Sequence, residues 1–198
     1  NQKYATARTH FELASADKTY GEAANYYHAY AAYREKKDDT AYKLWSAVAL
    51  TGYDYPQRSV QRLTTLSNRS RRQDILGVFE RIARERERNY PELAADALVG
   101  IIRLGSGKAV TEAEKKLFTT HAGSNQAATV KWERGWDAWK ANNYKGAYDQ
   151  WSGGYSNKIP NAELASRLLY WQSRPLDKPK SPAAAKSVQE QHVNDYPA

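Results

Sequence analysis

The chain has 198 residues and a formal net charge of +8, from 30 Lys plus Arg against 22 Asp plus Glu. Its 30 Ala and 24 aromatic residues leave only 27 Val, Ile and Leu, and just 13 residues are Val or Ile, which excludes a large β-sheet with its usual filling. Zero Cys excludes disulfides, thiolate metal sites and a Cys nucleophile, and no window reaches the ~20 apolar residues of a membrane span, so a mostly helical chain is the surviving class.

Asn1 to Ala16 carries Tyr4, Ala7, Phe11 and Ala14 at helical spacing, and Asp17 begins a turn. The next helix follows from Thr19, with Ala23, Tyr27, Tyr30 and Ala31 on its apolar face. Asp38-Asp39-Thr40 is expected to cap a helix through Tyr42, Leu44, Trp45, Val48 and Ala49, which stops at Gly52 to Pro56. Pro56 suits the first turn of a helix carrying Val60, Leu63 and Leu66. A helix from Arg72 to Arg88 follows, broken by Tyr90-Pro91, and Glu92 to Leu104 restarts one. Gly105-Ser106-Gly107 reads as a turn, and Thr111 to Glu114 as the capping-box start of a short helix. Beyond Gly123-Ser124-Asn125, a helix over Ala127 to Ala141 carries Trp132, Trp136 and Trp139, and Asn142-Asn143 turns the chain into a helix over Tyr144 to Trp151. Asn161 can cap Ala162 to Arg174, and after a turn at Lys178 to Pro182 a last helix is expected over Ala183 to Asn194 with Ala184, Val188 and Val193. Ten or eleven helices joined by short turns result.

A weak repeat runs through this order. Tyr20-x-x-Ala23-x-x-x-Tyr27 and Tyr144-x-x-Ala147-x-x-x-Trp151 share one spacing, and Ala184-x-x-x-Val188 keeps its second half. Small residues let helices approach while the aromatic four positions on enters the neighbouring groove, the pattern of helix-pair repeats of about 34 residues. The expected fold is therefore all-α, a superhelical arc of antiparallel helix pairs, a tetratricopeptide-like α-solenoid. Residues 1–198 read as a single helical domain, with sub-bundles 1–122 and 123–198 as a finer division. A chain that begins at Asn1 and has no Met is expected to be processed or cut from a longer one, with no signal peptide in view.

The stretch Gly135-Trp136-x-x-Trp139-x4-Tyr144-x-x-Ala147-x-x-x-Trp151, followed by Ala165 to Arg174 and by Tyr196-Pro197, resembles the superhelical domain of soluble lytic transglycosylases. Gly135 and Ala147 match its small contact residues and Trp151 its inserted aromatic. Residues 130–198 carry most of the resemblance, and the first 130 agree in style only. It implies a periplasmic protein of the bacterial cell envelope whose complete form cleaves peptidoglycan to a 1,6-anhydro product through one glutamate of a following lysozyme-like domain. That catalytic domain is not in this sequence: none of the 12 Glu is followed by Ser, and a Gly-Leu-Met-Gln type segment is excluded by the absence of Met. Pro175 departs from the family pattern and should end or kink its helix.

The residues offer no catalytic site of their own. A glycosidase needs a carboxyl held in a pocket, whereas the Glu residues here sit in charged contexts, as Glu85 and Glu87 do among Arg84, Arg86 and Arg88. His10, His28, His121 and His192 lack metal-ligand spacing, Gly105-Ser106-Gly107-Lys108 lacks the strand and first Gly of a phosphate loop, and neither metal nor cofactor is expected. Trp132, Trp136 and Trp139, at i, i+4 and i+7, form the aromatic binding candidate, because indole faces stack on sugar rings. One repeat register puts all three on a concave surface. Another, one residue away, puts Trp136 and Trp139 inside the helix pair, which is the usual role of a helical aromatic stripe and leaves Trp132 as the first candidate; Trp45, Trp151 and Trp171 read as core.

Nine Arg between Arg58 and Arg88, against Asp74, Glu80, Glu85 and Glu87, supply +5 of the net +8. Arg84 and Arg88 are the candidates there for phosphates or stem-peptide carboxylates, set against a solvated helix with ion pairs such as Glu80 with Arg84. The function expected is a non-catalytic scaffold that positions glycan strands or the lysozyme-like domain. The alternative is a tetratricopeptide-like adaptor holding a protein segment in its concave groove; nucleic acid ranks below both, and no membrane span is expected.

Overall fold

The computed structural model describes residues 2–177, 190 and 193–195. Among the described residues there are ten α-helices, one 3₁₀ turn and no strand: α1 (Gln2–Ala14), α2 (Gly21–Arg34), α3 (Asp38–Thr51), α4 (Pro56–Ser70), α5 (Asp74–Glu85), α6 (Pro91–Leu104), α7 (Gly107–Thr120), α8 (Asn125–Lys140), α9 (Tyr144–Gly154), α10 (Ala162–Ser173) and the 3₁₀ turn Arg174–Asp177. The expected all-α class holds, and the helices pack chiefly on their neighbours in sequence. The helix expected over 183–194 and the Tyr196-Pro197 step fall mostly or wholly outside the described residues. The chain divides into two compact units, Asn1–Lys115 and Lys116–Ala198, with the division inside α7.

Local chemistry sets half of the helix starts. Pro56 and Pro91 open α4 and α6, where a missing N–H costs nothing because the first turn has no acceptor for it. Ser124, Asn143 and Asn161 each accept a hydrogen bond from a first-turn N–H, of Ala127, Gly146 and Leu164. Asn142, at φ 58°, supplies the left-handed residue that reverses the chain before α9. Helix α10 ends at Ser173 and the chain tightens to 3₁₀ through Pro175, which cannot donate to the preceding ladder.

Three local expectations are corrected. Asp38 and Asp39 do not cap α3 from outside; they lie in its first turn, and their carboxylates pair with Arg69 and Arg72 of the later chain. Thr111 does not open α7, which begins at Gly107, and its hydroxyl donates back to the Gly107 carbonyl at 3.4 Å. In α2 the buried residues are Gly21, Ala24, Tyr26, His28, Ala29, Ala31 and Ala32, so Ala31 is buried as expected, whereas Ala23 and Tyr30 are half-buried and Tyr27 is more exposed. Tyr20 is largely exposed, and Tyr27 is partly so while its ring stacks on Phe11 of α1 at 5.7 Å, since a Tyr ring can lie over the surface while Ala at the contact lets the backbones close up.

In the first unit α1 packs on α2, α2 on α3, α3 on α4 and α5, and α6 on α4 and α5. Ala29, Ala32, Ala41 and Ala49 are completely buried where α2 and α3 meet their neighbours, around the buried indole of Trp45. Farther along, Leu63, Leu66, Ile75, Phe79 and Ile82 fill the core, and a Cβ on Gly100 would stand 2.4 Å from the Phe79 ring, so α5 and α6 touch through a glycine. The second unit packs α8 on α9 and α10 on both. Its core is Ala128, Ala147, Trp151, Ile159, Leu164, Ala165 and Leu168, with four half-buried Trp against it.

Candidate functional site

The aromatic stripe of α8 is built by periodicity: residues 132, 136 and 139 share one face, and Gly135 lies beside them. Trp151 of α9 enters at Gly135, where an added Cβ would stand 2.0 Å from the indole Nε1. That Nε1 donates to the Trp132 carbonyl at 3.2 Å, so the buried indole satisfies its one donor against the backbone it packs on. Trp171 of α10 completes the cluster, with its ring centroid 4.6 Å from that of Trp136 and 5.7 Å from that of Trp151. Trp139 packs on Trp151 at 6.0 Å and edge-on to Tyr144 at 5.0 Å.

Trp151 is fully buried, as the sequence reading has it, whereas Trp171, read as core, is only partly so. Trp132, Trp136 and Trp139 are likewise half-buried. Neither repeat register describes them fully, because three-way packing of α8, α9 and α10 leaves each of these rings partly buried. The Trp132 ring packs against Trp136, Trp151 and Trp171 at 5.7, 5.9 and 6.4 Å. The accessible part of each ring is held by its neighbours, so contact with an apolar ligand surface orders little that is not already ordered.

Arg84 and Arg88 lie in the first unit, at the end of α5 and in the turn after it, and both are exposed. Arg84 donates to Glu85 at 2.9 Å, and Arg81 to the same carboxylate at 3.4 Å, so the pair expected between Glu80 and Arg84 is replaced by one centred on Glu85. Arg84, with Arg81, holds the Glu85 carboxyl below its usual range.

Much of the basic run turns inward. Five of its nine arginines, Arg58, Arg62, Arg69, Arg72 and Arg86, place their guanidinium groups over the rings of Tyr55, Tyr30, Tyr33, Tyr42 and Tyr90. Arg69 sits 3.5 Å from the Tyr33 centroid, donates to the Tyr33 carbonyl at 3.0 Å and pairs with Asp38. Arg86 donates to the carbonyls of Leu50 and Gly52 at the end of α3. A planar cation with five donors can stack on a ring and bond carbonyl and carboxylate at once, which is why these positions carry Arg rather than Lys. The run is thus in large part a set of staples from α4, the α4–α5 turn and the α5–α6 turn to α2 and α3.

Glu22 was not singled out by the sequence. Its carboxylate accepts from the N–H groups of Tyr53, Asp54 and Tyr55 at 2.9, 3.0 and 2.8 Å and fixes the turn that leads into α4. No local signal marks it, because its partners lie 31 to 33 residues away. Among the described residues no group of three or more His, Asp or Glu is arranged to hold a metal ion, and no helix is long and apolar enough to cross a membrane. No family model, no curated protein and no solved structure matches the chain.

Proposed function

We propose that this chain is a non-catalytic, tetratricopeptide-like superhelical scaffold of a peptidoglycan lytic transglycosylase in the bacterial periplasm, positioning glycan strands or the lysozyme-like catalytic domain. The observation that carries the reading is the α8–α9 junction: Gly135, Ala147 and Trp151, the residues through which the sequence resembles that family, are the contact residues of one tightly docked helix pair. The accessible parts of the half-buried Trp132, Trp136, Trp139 and Trp171 rings supply an aromatic surface for sugar rings. The carboxylates support a structural assignment, since Glu22 holds backbone amides and Glu35, Asp38, Asp39, Asp74 and Glu85 pair with Arg.

The test is co-sedimentation of the chain with purified sacculi, with muropeptide analysis of the supernatant. The chain should sediment with sacculi without releasing anhydro-muropeptides, and Trp132→Ala should keep its helical circular dichroism while sedimenting less. Release of anhydro-muropeptides above a no-protein control overturns the non-catalytic assignment. A chain that binds neither sacculi nor a purified lysozyme-like transglycosylase domain overturns the scaffold assignment.

A further inference from the structure

Within the first unit, the turn before α4 and the turn before α6 enclose a cleft of about 320 Å³. Buried Pro56 and Leu93 are among its lining residues, together with the aromatic Tyr53 and Tyr90 and the acidic Asp54 and Glu92. The lining contains no Lys, Arg or His, in a chain whose net charge is +8. Neither the Asp54 nor the Glu92 carboxylate makes an ion pair among the described residues, and both residues are exposed. Tyr53 is 75 % exposed, and its backbone is held in place, because its N–H and that of Asp54 both donate to Glu22.

The same unit shows what this combination of groups does. Where a Tyr ring stands near Asp carboxylates, an arginine fills the space: Arg69 over Tyr33 with Asp38, and Arg72 4.3 Å from the Tyr42 centroid with Asp39 and Asp74. At the cleft itself Tyr90 already carries the Arg86 guanidinium at 4.1 Å from its centroid. Tyr53 with Asp54 and Glu92 offers the ring and the carboxylates again, and no cation of the described chain lies over Tyr53. A guanidinium would gain ring-face attraction and carboxylate hydrogen bonds together. A neutral sugar could also stack there, but it would give the two carboxylates no ion-pair partner.

We propose that this cleft is a binding site for an arginine side chain presented by an exposed segment of another protein, with Tyr53 as the stacking platform and Asp54 and Glu92 as the carboxylate partners. The site is independent of the glycan-binding surface proposed for the second unit. A pre-positioned turn and an apolar floor for the side-chain methylenes suit such a ligand, whose stem is as apolar as its head is charged.

The test is a titration of the full chain, followed by amide NMR shifts, with the blocked tripeptide Ac-Gly-Arg-Gly-NH2. Ac-Gly-Gln-Gly-NH2 and chitobiose serve as the neutral-peptide and saccharide probes. The arginine peptide should shift the amides of Tyr53, Asp54, Gln57, Tyr90 and Glu92, more weakly at higher salt. Tyr53→Leu should weaken it about two- to fivefold, the range given by a ring–cation contact at an exposed site. Asp54→Asn with Glu92→Gln should weaken it by at least as much. Should the double variant fail to fold, the exposed Tyr53→Leu change and the salt series still decide the matter. Equal binding of the glutamine peptide, shifts confined to other residues, or shifts with chitobiose and none with the arginine peptide would overturn the proposal.

Discussion

Adding a single methyl group at Gly135 should destabilise the second unit, although alanine is the better helix former. In isolation Gly→Ala in a helix interior is worth about 1 kcal/mol in the direction of stability. At this position the new Cβ would lie 2.0, 2.4 and 2.5 Å from Nε1, Cδ1 and Cε2 of Trp151, a rigid indole that is completely buried. The ring cannot swing aside, so α8 and α9 must move apart, and a gap of about 0.5–1 Å already forfeits a quarter to a half of each dispersion contact it opens. Overpacking of this kind costs about 1–3 kcal/mol, and the weakened bond from Trp151 Nε1 to the Trp132 carbonyl adds to it. The net loss should be about 1–2 kcal/mol, or a fall of roughly 4–16 °C in the midpoint of a unit of this size. Thermal and urea unfolding followed by tryptophan fluorescence reads it directly, because five of the six Trp belong to the second unit. Gly77→Ala is the control: its Cβ meets nothing within 4 Å, and in mid-α5 it should stabilise by about 0.5–1 kcal/mol, read by circular dichroism. The double variant Gly135→Ala/Trp151→Leu should cost less than the sum of its single changes, since the smaller side chain makes room. The reasoning is refuted if Gly135→Ala is as stable as the parent while Gly77→Ala behaves as stated.

Two further outcomes follow from groups that hold the first unit together. Glu22→Ala leaves the N–H groups of Tyr53, Asp54 and Tyr55 without their acceptor; it should cost about 1–3 kcal/mol and speed hydrogen exchange at those three amides, and unchanged exchange would contradict the clamp. His28 is buried in α2 with its Nε2 unpartnered, and burial, with a smaller push from Arg8 against a pull from Glu12, lowers its pKa below the ordinary value of about 6.5. The unfolded chain therefore binds this proton more readily than the folded one, so stability should be full above about pH 6.5 and fall as pH drops below it. His28→Gln should flatten the difference in denaturation midpoint between pH 5.5 and 7.5, and an unchanged slope would assign the effect to other groups.

The parts of this molecule legible in the sequence are those governed by neighbours along the chain. Pro56 and Pro91 start helices because an N–H is not needed there, and Asn143 and Asn161 cap because a short side-chain oxygen reaches an N–H three residues on. The predominance of Ala and aromatic residues over Val and Ile foreshadows closely spaced helices with rings between them. The Gly135, Ala147 and Trp151 spacing marks one such pair, since size alone decides which residue can face an indole.

What only the tertiary structure decides is where ambivalent side chains spend their two natures. A Tyr can be core or surface, and in α2 it is Tyr26 that is buried, while Tyr27, expected on the inner face, stacks on Phe11 of α1 from a partly exposed position. An Asp near a helix start can cap it or pair with a distant cation, and Arg69 and Arg72, some thirty residues later, settle that for Asp38 and Asp39. A run of arginines has no direction until the fold brings tyrosine rings and carbonyl ends beneath it, so a span that reads as a charged face turns largely into staples. Glu22 and the cleft between the turns before α4 and α6 depend on the same long-range closure: each turn is set locally, and packing of α3 on α2 and α4, and of α4 on α6, brings their carboxylates, amides and rings to one place.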